Sequence, residues 1–295
     1  MKPPRFDYFA PASAQEAVSL LAEHSDEARV LAGGQSLVPL MNMRLARPSV
    51  LVDINRIPGF GLVGLDDGQV TLGATVRQGA ALADSELARR VPLMTAALRH
   101  VGHPQNRARG TVVGSLAHHD PAAELPAVAL ALDAEVTAAS ARGTRPIPAG
   151  EFFVAYYTTA LEPDELATHV RFPVAAPNTG AAFEEFCRRT GDFALVGVAA
   201  QLTVDDGHVR DARLAFVAMA DHPIRARKTE AALTGKAITP QTVTEAARLT
   251  VEEDGLEPAD DIHAPADFRL SVLPVIAERA ISLAWSRATA QEDGR

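Results

Sequence analysis

Two short glycine-containing segments have the residue types that hold a phosphate group through the protein backbone. The first loop is Ala32-Gly33-Gly34-Gln35-Ser36, and the second loop is Thr111-Val112-Val113-Gly114-Ser115. Glycine permits positive φ and lets a ligand approach the main chain closely, and successive N–H groups in such a turn form an anion site. Two such loops in one chain suit a ligand with two phosphates, because each loop can cover one side of a pyrophosphate.

The elements around the first loop should hold it between a strand and a helix. The apolar run 29–32 predicts a short strand, and a helix should follow from about 37 to 45, stopped by Pro48. Ser36 can then cap this helix or donate its hydroxyl to a phosphate. Taken alone, the loop is equally well explained as a tight strand-to-helix turn, so the ligand hypothesis depends on both loops.

Positive charge stands close to the second loop. Arg107 and Arg109 precede it in a chain whose formal net charge is −9. An acidic chain opposes a phosphate ligand through its overall field, so local donors must hold the anion. We therefore expect these two arginines to supply local positive charge.

A third glycine segment, 59–64, matches the GxGxxG pattern of dinucleotide-binding proteins. In that fingerprint the last glycine opens a helix, whose N-terminus receives the pyrophosphate. Here the residues after Gly64 predict a turn and then a strand at 69–72. We interpret the segment as a glycine-rich turn and not as a Rossmann site.

The composition excludes several classes of protein. Lys and Arg form no cluster of the kind that binds a nucleic-acid backbone, so no nucleic-acid partner is expected. Every apolar run is shorter than the roughly 20 residues of a membrane span, and the N-terminus has no apolar leader segment, which together predict a cytoplasmic protein. The single cysteine, Cys187, excludes an iron–sulfur cluster built by this chain alone.

The pattern of elements predicts an α+β fold in three small units. The Pro/Asn/Gly-rich stretch 173–180 is the best domain boundary. It divides an N-terminal domain, residues 1–175, from a C-terminal domain, residues 180–288. The N-terminal domain should itself consist of two subdomains, at about 1–55 and 56–175.

Four segments resemble one known family in the order in which they occur along the chain. Segments 32–48 and 102–126 resemble the two FAD loops of the flavin-binding medium subunits of the molybdenum hydroxylases, the family of carbon monoxide dehydrogenase and xanthine dehydrogenase. Segments 161–166 and 183–194 resemble two further family segments. The similarity covers nearly the whole chain, and four ordered motifs are far more specific than any single loop.

The resemblance implies a fold, a cofactor and a site. The fold is an FAD-binding domain of the vanillyl-alcohol-oxidase and MurB type, also called PCMH-type, followed by a small α+β domain. The cofactor is FAD, with its pyrophosphate held by the backbone of residues 32–36 and 111–115. Asp120 matches a family aspartate near the flavin nucleotide.

The resemblance also implies partners and a role. A large subunit with a molybdenum cofactor would oxidise the substrate, and a small subunit with [2Fe–2S] clusters would pass the electrons on. In this hetero-oligomer the present chain would transfer them through FAD to an external acceptor, so it is an oxidoreductase subunit. No side chain here is expected to be a catalytic acid or base.

A metal site is not expected in this chain. His118, His119 and Asp120 invite the idea, but adjacent histidines on a strand or loop point apart, and no further ligand stands at a suitable spacing. We interpret them instead as polar residues lining the cofactor cleft.

Two alternatives remain open from the sequence. The chain could be a self-contained FAD-dependent oxidoreductase with its own substrate pocket over the flavin. It could also be an FAD-free structural subunit, because Val113 stands where the family has glycine, and a β-branched residue is strained if that position needs positive φ. The primary substrate and the electron acceptor are not encoded in any motif of this chain.

Overall fold

A computed structural model describes residues 1–66 and 68–292, which form three units around β-sheets. The strands of the described residues are β1 (Asp7–Phe9), β2 (Ala28–Leu31), β3 (Val50–Asp53), β4 (Val63–Leu65), β5 (Gln69–Gly73), β6 (Glu135–Ser140), β7 (Gly143–Pro148), β8 (Phe153–Ala155), β9 (Thr158–Thr159), β10 (Leu166–Pro173), β11 (Thr179–Phe186), β12 (Val196–Asp205), β13 (His208–Val217) and β14 (Ile224–Arg225).

Helices connect and cover these strands. They are α1 (Ala14–His24), α2 (Leu37–Asn42), α3 (Gln78–Ala83), α4 (Ser85–Arg90), α5 (Pro92–Leu98), α6 (Pro104–Arg109), α7 (Val112–His118), α8 (Glu124–Ala131), α9 (Ala149–Phe152), α10 (Arg227–Leu233), α11 (Pro240–Leu249) and α12 (Ala266–Glu292), with short 3-10 turns at Ser25–Glu27, Ile54–Arg56 and Thr250–Glu252. The predicted α+β class is confirmed. Each helix of the described residues is too short or too polar to cross a lipid bilayer.

The first unit is a three-stranded parallel sheet in the order β1-β3-β2, covered by α1. A serine followed three residues later by a glutamate predicts a capping box at Ser13, and in the structure the hydroxyl of Ser13 caps α1 by accepting the Glu16 N–H at 3.1 Å. The Glu16 carboxylate reaches back to the N–H of Ala12, one residue before the expected partner in a capping box. This unit therefore presents the end of β2 and the first loop from a rigid sheet.

The second unit is a five-stranded antiparallel sheet in the order β4-β5-β10-β6-β7, packed under α3 to α8. The sequence predicts one helix over 86–100, but the structure has two. Val91 has φ −133°, outside the helical region, and Pro92 then opens α5. Proline lacks the N–H that a continuing helix needs, yet it suits a first helical position, so the break falls at this residue.

The third unit is an antiparallel sheet in the order β11-β12-β13-β14, with α10 to α12 on one face. From the sequence, residues 224–233 are expected to form one helix. This prediction is wrong at its start, because Ile224–Arg225 pairs with β13 and α10 begins only at Arg227. The opposite face of the sheet packs against α5 and α8. Phe183 and Val217 from this face belong to the same buried apolar cluster as the core of the second unit.

A polar anchor also joins the second and third units. Asp133, which adopts φ +52° in the turn between α8 and β6, accepts hydrogen bonds from Arg213 at 2.9 Å and Arg225 at 3.0 Å. Arg225 donates in addition to the carbonyl of Leu130 at 2.8 Å. The shared core and this anchor fix the third unit against the α8–β6 turn.

Candidate cofactor site

The first loop connects the end of β2 to the start of α2, as predicted. Gly34 adopts φ +71°, which residues other than glycine rarely tolerate. Ser36 makes no side-chain capping bond to α2, so capping does not account for this serine. Within residues 1–66 and 68–292, no protein group accepts a hydrogen bond from the four consecutive N–H groups of Gly33, Gly34, Gln35 and Ser36. The loop therefore presents a run of uncommitted backbone donors.

The second loop is the start of a helix and not an open loop. Thr111 is the N-cap of α7, and its hydroxyl accepts the N–H of Gly114 at 3.0 Å. The N–H of Ser115 donates to the Thr111 carbonyl, and that of Val112 donates to Val76. Among the described residues, only the N–H groups of Thr111 and Val113 in this segment lack a protein acceptor. The second loop thus offers fewer free donors than the first.

Val113 is not strained. It lies inside α7, and its φ is not among the positive values of the chain. Its side chain is 2% exposed and packs in the core of the second unit. The expectation of strain fails because α7 needs a helical residue at this position, and the apolar core receives the side chain.

The structure brings the first loop against the backbone of residues 109–110, which lead directly into the second loop. A Cβ atom built on Gly33 would lie 2.6 Å from the carbonyl oxygen of Arg109 and 2.8 Å from the Cα of Gly110. A Cβ built on Gly114 would lie 4.0 Å from the Cβ of Ala32. Only a residue without a side chain lets the two backbones approach this closely at Gly33.

Two residues that sequence reasoning missed tie the loops together. Asn55 donates from Nδ2 to the carbonyl of Ala32 at 2.8 Å, and its Oδ1 accepts from Arg77 at 2.5 Å. Arg77 also donates to the carbonyl of Arg109 at 2.5 Å. One sequence signal was present for Asn55, since a polar residue just after a parallel strand often lies at the edge where ligands bind. Arg77 has no such signal, because its partners lie 22 and 32 residues away.

The arginines beside the second loop are partly committed to the protein. Arg107 donates to the carbonyls of Val101 and Gly102 at 2.7 and 3.0 Å. Arg109 is exposed on α6. Burial, and next the positive charge of Arg109, lower the pKa of Arg77. Arg77 and Arg109 therefore supply positive charge where the loops meet, whereas the guanidinium of Arg107 is turned toward residues 101 and 102.

Asp120 and its neighbours lie beyond the C-terminal end of α7. The Asp120 carboxylate accepts from the N–H of Ala122 at 2.9 Å and from the hydroxyl of Tyr157 at 3.3 Å. His118 lies against the ring of Tyr157, whereas His119 is fully buried and its Nδ1 bonds the carbonyl of Thr158 at 2.9 Å. The two histidines thus have different surroundings. No group of His, Cys, Asp or Glu in the described part of the chain has the arrangement of a metal site.

A buried carboxyl group follows Asp120. Glu124, at the start of α8, is 7% exposed. Burial raises its pKa to about 8, and the nearby carboxylates of Glu185 and Asp120 add to the effect. Glu185 belongs to β11 of the third unit, where it faces the ring of His100 at 3.3 Å. Glu124 is therefore a protonated acid at neutral pH, next to the junction of the two units.

Replacing Glu124 with glutamine should flatten the pH dependence of stability. The folded state keeps a proton on Glu124 up to a pKa of about 8, whereas the unfolded state loses it near the ordinary glutamate pKa of 4.5. Its stabilising contribution is therefore complete below 4.5 and is lost as the pH rises toward 8, by up to about 1.4 kcal/mol per pH unit. Urea unfolding at pH 5, 6.5 and 8 should show that the free energy of unfolding of Glu124→Gln increases relative to that of the parent as the pH rises. The exposed Glu151→Gln is the control, and a difference independent of pH would contradict the burial argument.

Comparison with known proteins shows the family to which this chain is similar. Residues 4–175 match the family described as the FAD binding domain in molybdopterin dehydrogenase, and residues 181–284 match the CO dehydrogenase flavoprotein C-terminal domain. The chain is 41% identical to the 6-hydroxypseudooxynicotine dehydrogenase complex subunit alpha of Paenarthrobacter nicotinovorans, covering 98% of this chain and 97% of that one. It is 36% identical to the carbon monoxide dehydrogenase medium chain of Hydrogenophaga pseudoflava, covering 97% and 99%.

A solved structure shows the same fold. Carbon monoxide dehydrogenase from Hydrogenophaga pseudoflava, in a form lacking the Mo-pyranopterin moiety of its cofactor, superposes with a TM-score of 0.94 at 38% identity, covering 97% of this chain and 99% of that chain. Both family matches together span nearly the whole sequence, and the α+β domains occur in the same order. The chain therefore belongs to the FAD-binding subunits of the molybdenum hydroxylase family, and it is an FAD-binding oxidoreductase subunit.

Proposed function

We propose that this chain holds the FAD pyrophosphate between its two glycine loops and passes electrons from partner [2Fe–2S] clusters through FAD to an external acceptor. One observation carries the site assignment. Four consecutive N–H groups of the first loop, Gly33 to Ser36, have no protein acceptor among the described residues, at the place where the second loop meets them. Such a run of donors fits a phosphate.

The residues of the two loops have different roles in this proposal. The donors to the phosphate are the backbone N–H groups of Gly33, Gly34, Gln35 and Ser36. Ala32 sets the direction in which the chain enters the first loop. In the second loop Thr111 and Val113 have the free N–H groups, while Val112, Gly114 and Ser115 shape the first turn of α7. Asp120 would lie near the flavin nucleotide. When bound, FAD supplies redox chemistry that these side chains do not, and the protein binds and orients it.

The partners in this proposal follow from the relatives and from the cysteine count. The similar proteins are named as a subunit of a dehydrogenase complex and as a medium chain. With Cys187 as its one cysteine, this chain cannot build an iron–sulfur cluster by itself. We therefore assign the molybdenum cofactor to a large partner subunit and the [2Fe–2S] clusters to a small one, in a hetero-oligomer.

The two alternatives have less support. An FAD-free scaffold was motivated by strain at Val113, and Val113 lies unstrained in α7. A self-contained oxidoreductase needs convergent polar groups over the flavin ring, and it would be reduced directly by its own substrate.

Electron transfer from reduced clusters should bleach the flavin of this chain. We expect the absorbance of the FAD-loaded chain near about 450 nm, a flavin band, to fall within seconds of mixing with a small subunit whose clusters have been reduced stoichiometrically. The same small subunit freed of its clusters is the control and should cause no change. Persistence of the flavin band in the presence of reduced clusters would overturn the proposed route. Bleaching of the isolated chain by an aldehyde or a nitrogen heterocycle would instead favour the self-contained enzyme.

A further inference from the structure

A continuous hydrogen-bonded relay runs from one loop to the other through Asn55 and Arg77. Asn55 Nδ2 donates to the carbonyl of Ala32 at 2.8 Å, and Asn55 Oδ1 accepts from Arg77 at 2.5 Å. The second terminal nitrogen of Arg77 donates to the carbonyl of Arg109 at 2.5 Å. The Arg109 carbonyl at one end of this relay is the group that a Cβ on Gly33 would meet at 2.6 Å, and the carbonyl at the other end belongs to Ala32, the residue before Gly33.

The relay determines which way a peptide group of the first loop faces. In a planar trans peptide the carbonyl and the following N–H point in opposite directions. Because the Ala32 carbonyl points at Asn55, the N–H of Gly33 points away from Asn55, and it has no protein acceptor among the described residues. Asn55 thus turns the first donor of the loop outward.

Both relay residues are themselves held in place. Asn55 is fixed by Asp53, whose Oδ1 accepts from the Asn55 side chain at 2.6 Å and from its backbone N–H at 2.9 Å. The backbone of Arg77 forms an isolated bridge with Thr111, so this residue is joined to the second loop by main chain as well as side chain. A relay anchored at both ends keeps the two loops at a constant distance.

Arg77 is not committed to any carboxylate. Its side-chain bonds in the described residues go to an amide oxygen and a backbone carbonyl, and it is absent from the ion pairs of that part of the chain. A guanidinium has five N–H donors, and only two are used by these bonds. Its positive charge, which Asp53 partly offsets, therefore lies at the contact between the loops beside that of Arg109, in a chain of net charge −9.

We propose that Asn55 and Arg77 are positioning residues for FAD, which orient the Ala32–Gly33 peptide and hold the second loop against the first. This inference rests on the proposed assignment of the pyrophosphate to the two loops. The residues act through the loop backbone. Losing either one interrupts the same relay between the loops, so their effects on FAD affinity are not additive.

The test measures the FAD dissociation constant of the flavin-free full chain by quenching of flavin fluorescence. Asn55→Ala and Arg77→Ala should each weaken FAD binding by roughly 10- to 100-fold, the range for lost hydrogen bonds to or through a charged group. The double variant should weaken binding no more than about 3-fold beyond the stronger single variant. The absorption spectrum of bound flavin should stay that of the parent, because the relay acts at the loops. Arg56→Ala is the matched control, since it removes an exposed neighbouring arginine outside the relay.

Conservative variants separate positioning from folding. Asn55→Asp keeps an oxygen for Arg77 but loses the donor to Ala32 and sets a carboxylate beside that of Asp53, so it should weaken FAD binding at least as much as Asn55→Ala. The far-ultraviolet circular dichroism of each flavin-free variant should match that of the parent, which shows that the chain is folded. Arg77→Lys should restore part of the affinity. Parental FAD affinity in Asn55→Asp and Arg77→Ala, with weakened binding in Gly33→Ala, would overturn the relay and leave the proposed function standing. Parental affinity in all three would overturn the assignment of the loops to FAD.

Discussion

Gly33→Ala is expected to weaken FAD binding by about 100-fold or more while the chain still folds. The added Cβ would lie 2.6 Å from the Arg109 carbonyl oxygen and 2.8 Å from the Gly110 Cα, both backbone atoms that cannot rotate away. The loops must therefore separate by several tenths of an ångström. In the proposed site, several N–H donors would then miss the phosphate together, and hydrogen bonds to an ionised acceptor each contribute about 1.5–3 kcal/mol. Titration of the flavin-free chain with FAD measures the loss.

Two other glycines show whether the effect belongs to the loop contact. Gly150→Ala adds the same methyl group in α9, where no atom lies within 4 Å, and it should leave FAD affinity unchanged. Gly34→Ala adds it at φ +71°, within 3.3 Å of two flexible side chains, Leu31 and Val38, so an intermediate loss is expected. If Gly33→Ala bound FAD as tightly as Gly150→Ala, the contact between the loops would not matter for the cofactor.

Local chemistry made part of this fold predictable. The Ser13 cap and the apolar positions of α1 depend on residues within one helical turn, and the Pro240–Leu249 helix has proline at its first position and Thr239 as its cap. The 224–233 helix was wrong at its start because pairing of Ile224 with Phe216 outweighs local helix preference. That pairing is set by the neighbouring strand, which a local pattern does not contain.

The candidate site also has residues that the local sequence reveals and residues that only the tertiary structure reveals. The glycine loops could be recognised because their backbone requirements act on the residues themselves. The helical conformation of Val113 could not be predicted, since the same short sequence can form a helix or a loop, and packing in the apolar core decides between them. Asn55 and Arg77 were missed because their roles arise only when β3, the first loop and α6 meet in space. Sequence patterns identify the groups that touch a ligand more readily than those that hold them.

Gly180→Ala is expected to cause the largest loss of stability among single methyl additions at the junction of β11 and α12. A Cβ there would lie 2.0 Å from the carbonyl oxygen of Ala284 and 2.3 Å from the backbone nitrogen of Ala288. The helix must move away from the sheet over its whole contact with β11, which opens the apolar cluster that includes Ile281 and Ala284. Overpacking of this kind typically lowers the free energy of unfolding by about 1–3 kcal/mol. Because the added methyl group meets backbone atoms of α12, we expect a loss of about 3 kcal/mol or more. Urea unfolding followed by circular dichroism measures the change.

Gly197→Ala is the matched control, since Gly197 lies in β12 of the same sheet. Its Cβ would lie 3.0 Å from the Cβ of Val217, an approach that a shift of a few tenths of an ångström relieves, whereas the 2.0 Å approach at Gly180 needs a much larger movement. We expect a cost of about 1 kcal/mol or less. Equal losses in the two variants would contradict the tight packing of α12 on β11.

Because Phe183 and Val217 join the core of the FAD-binding domain, Gly180→Ala should also keep a single unfolding transition at a lower urea midpoint. Two separate transitions would show that the C-terminal unit folds independently of that core.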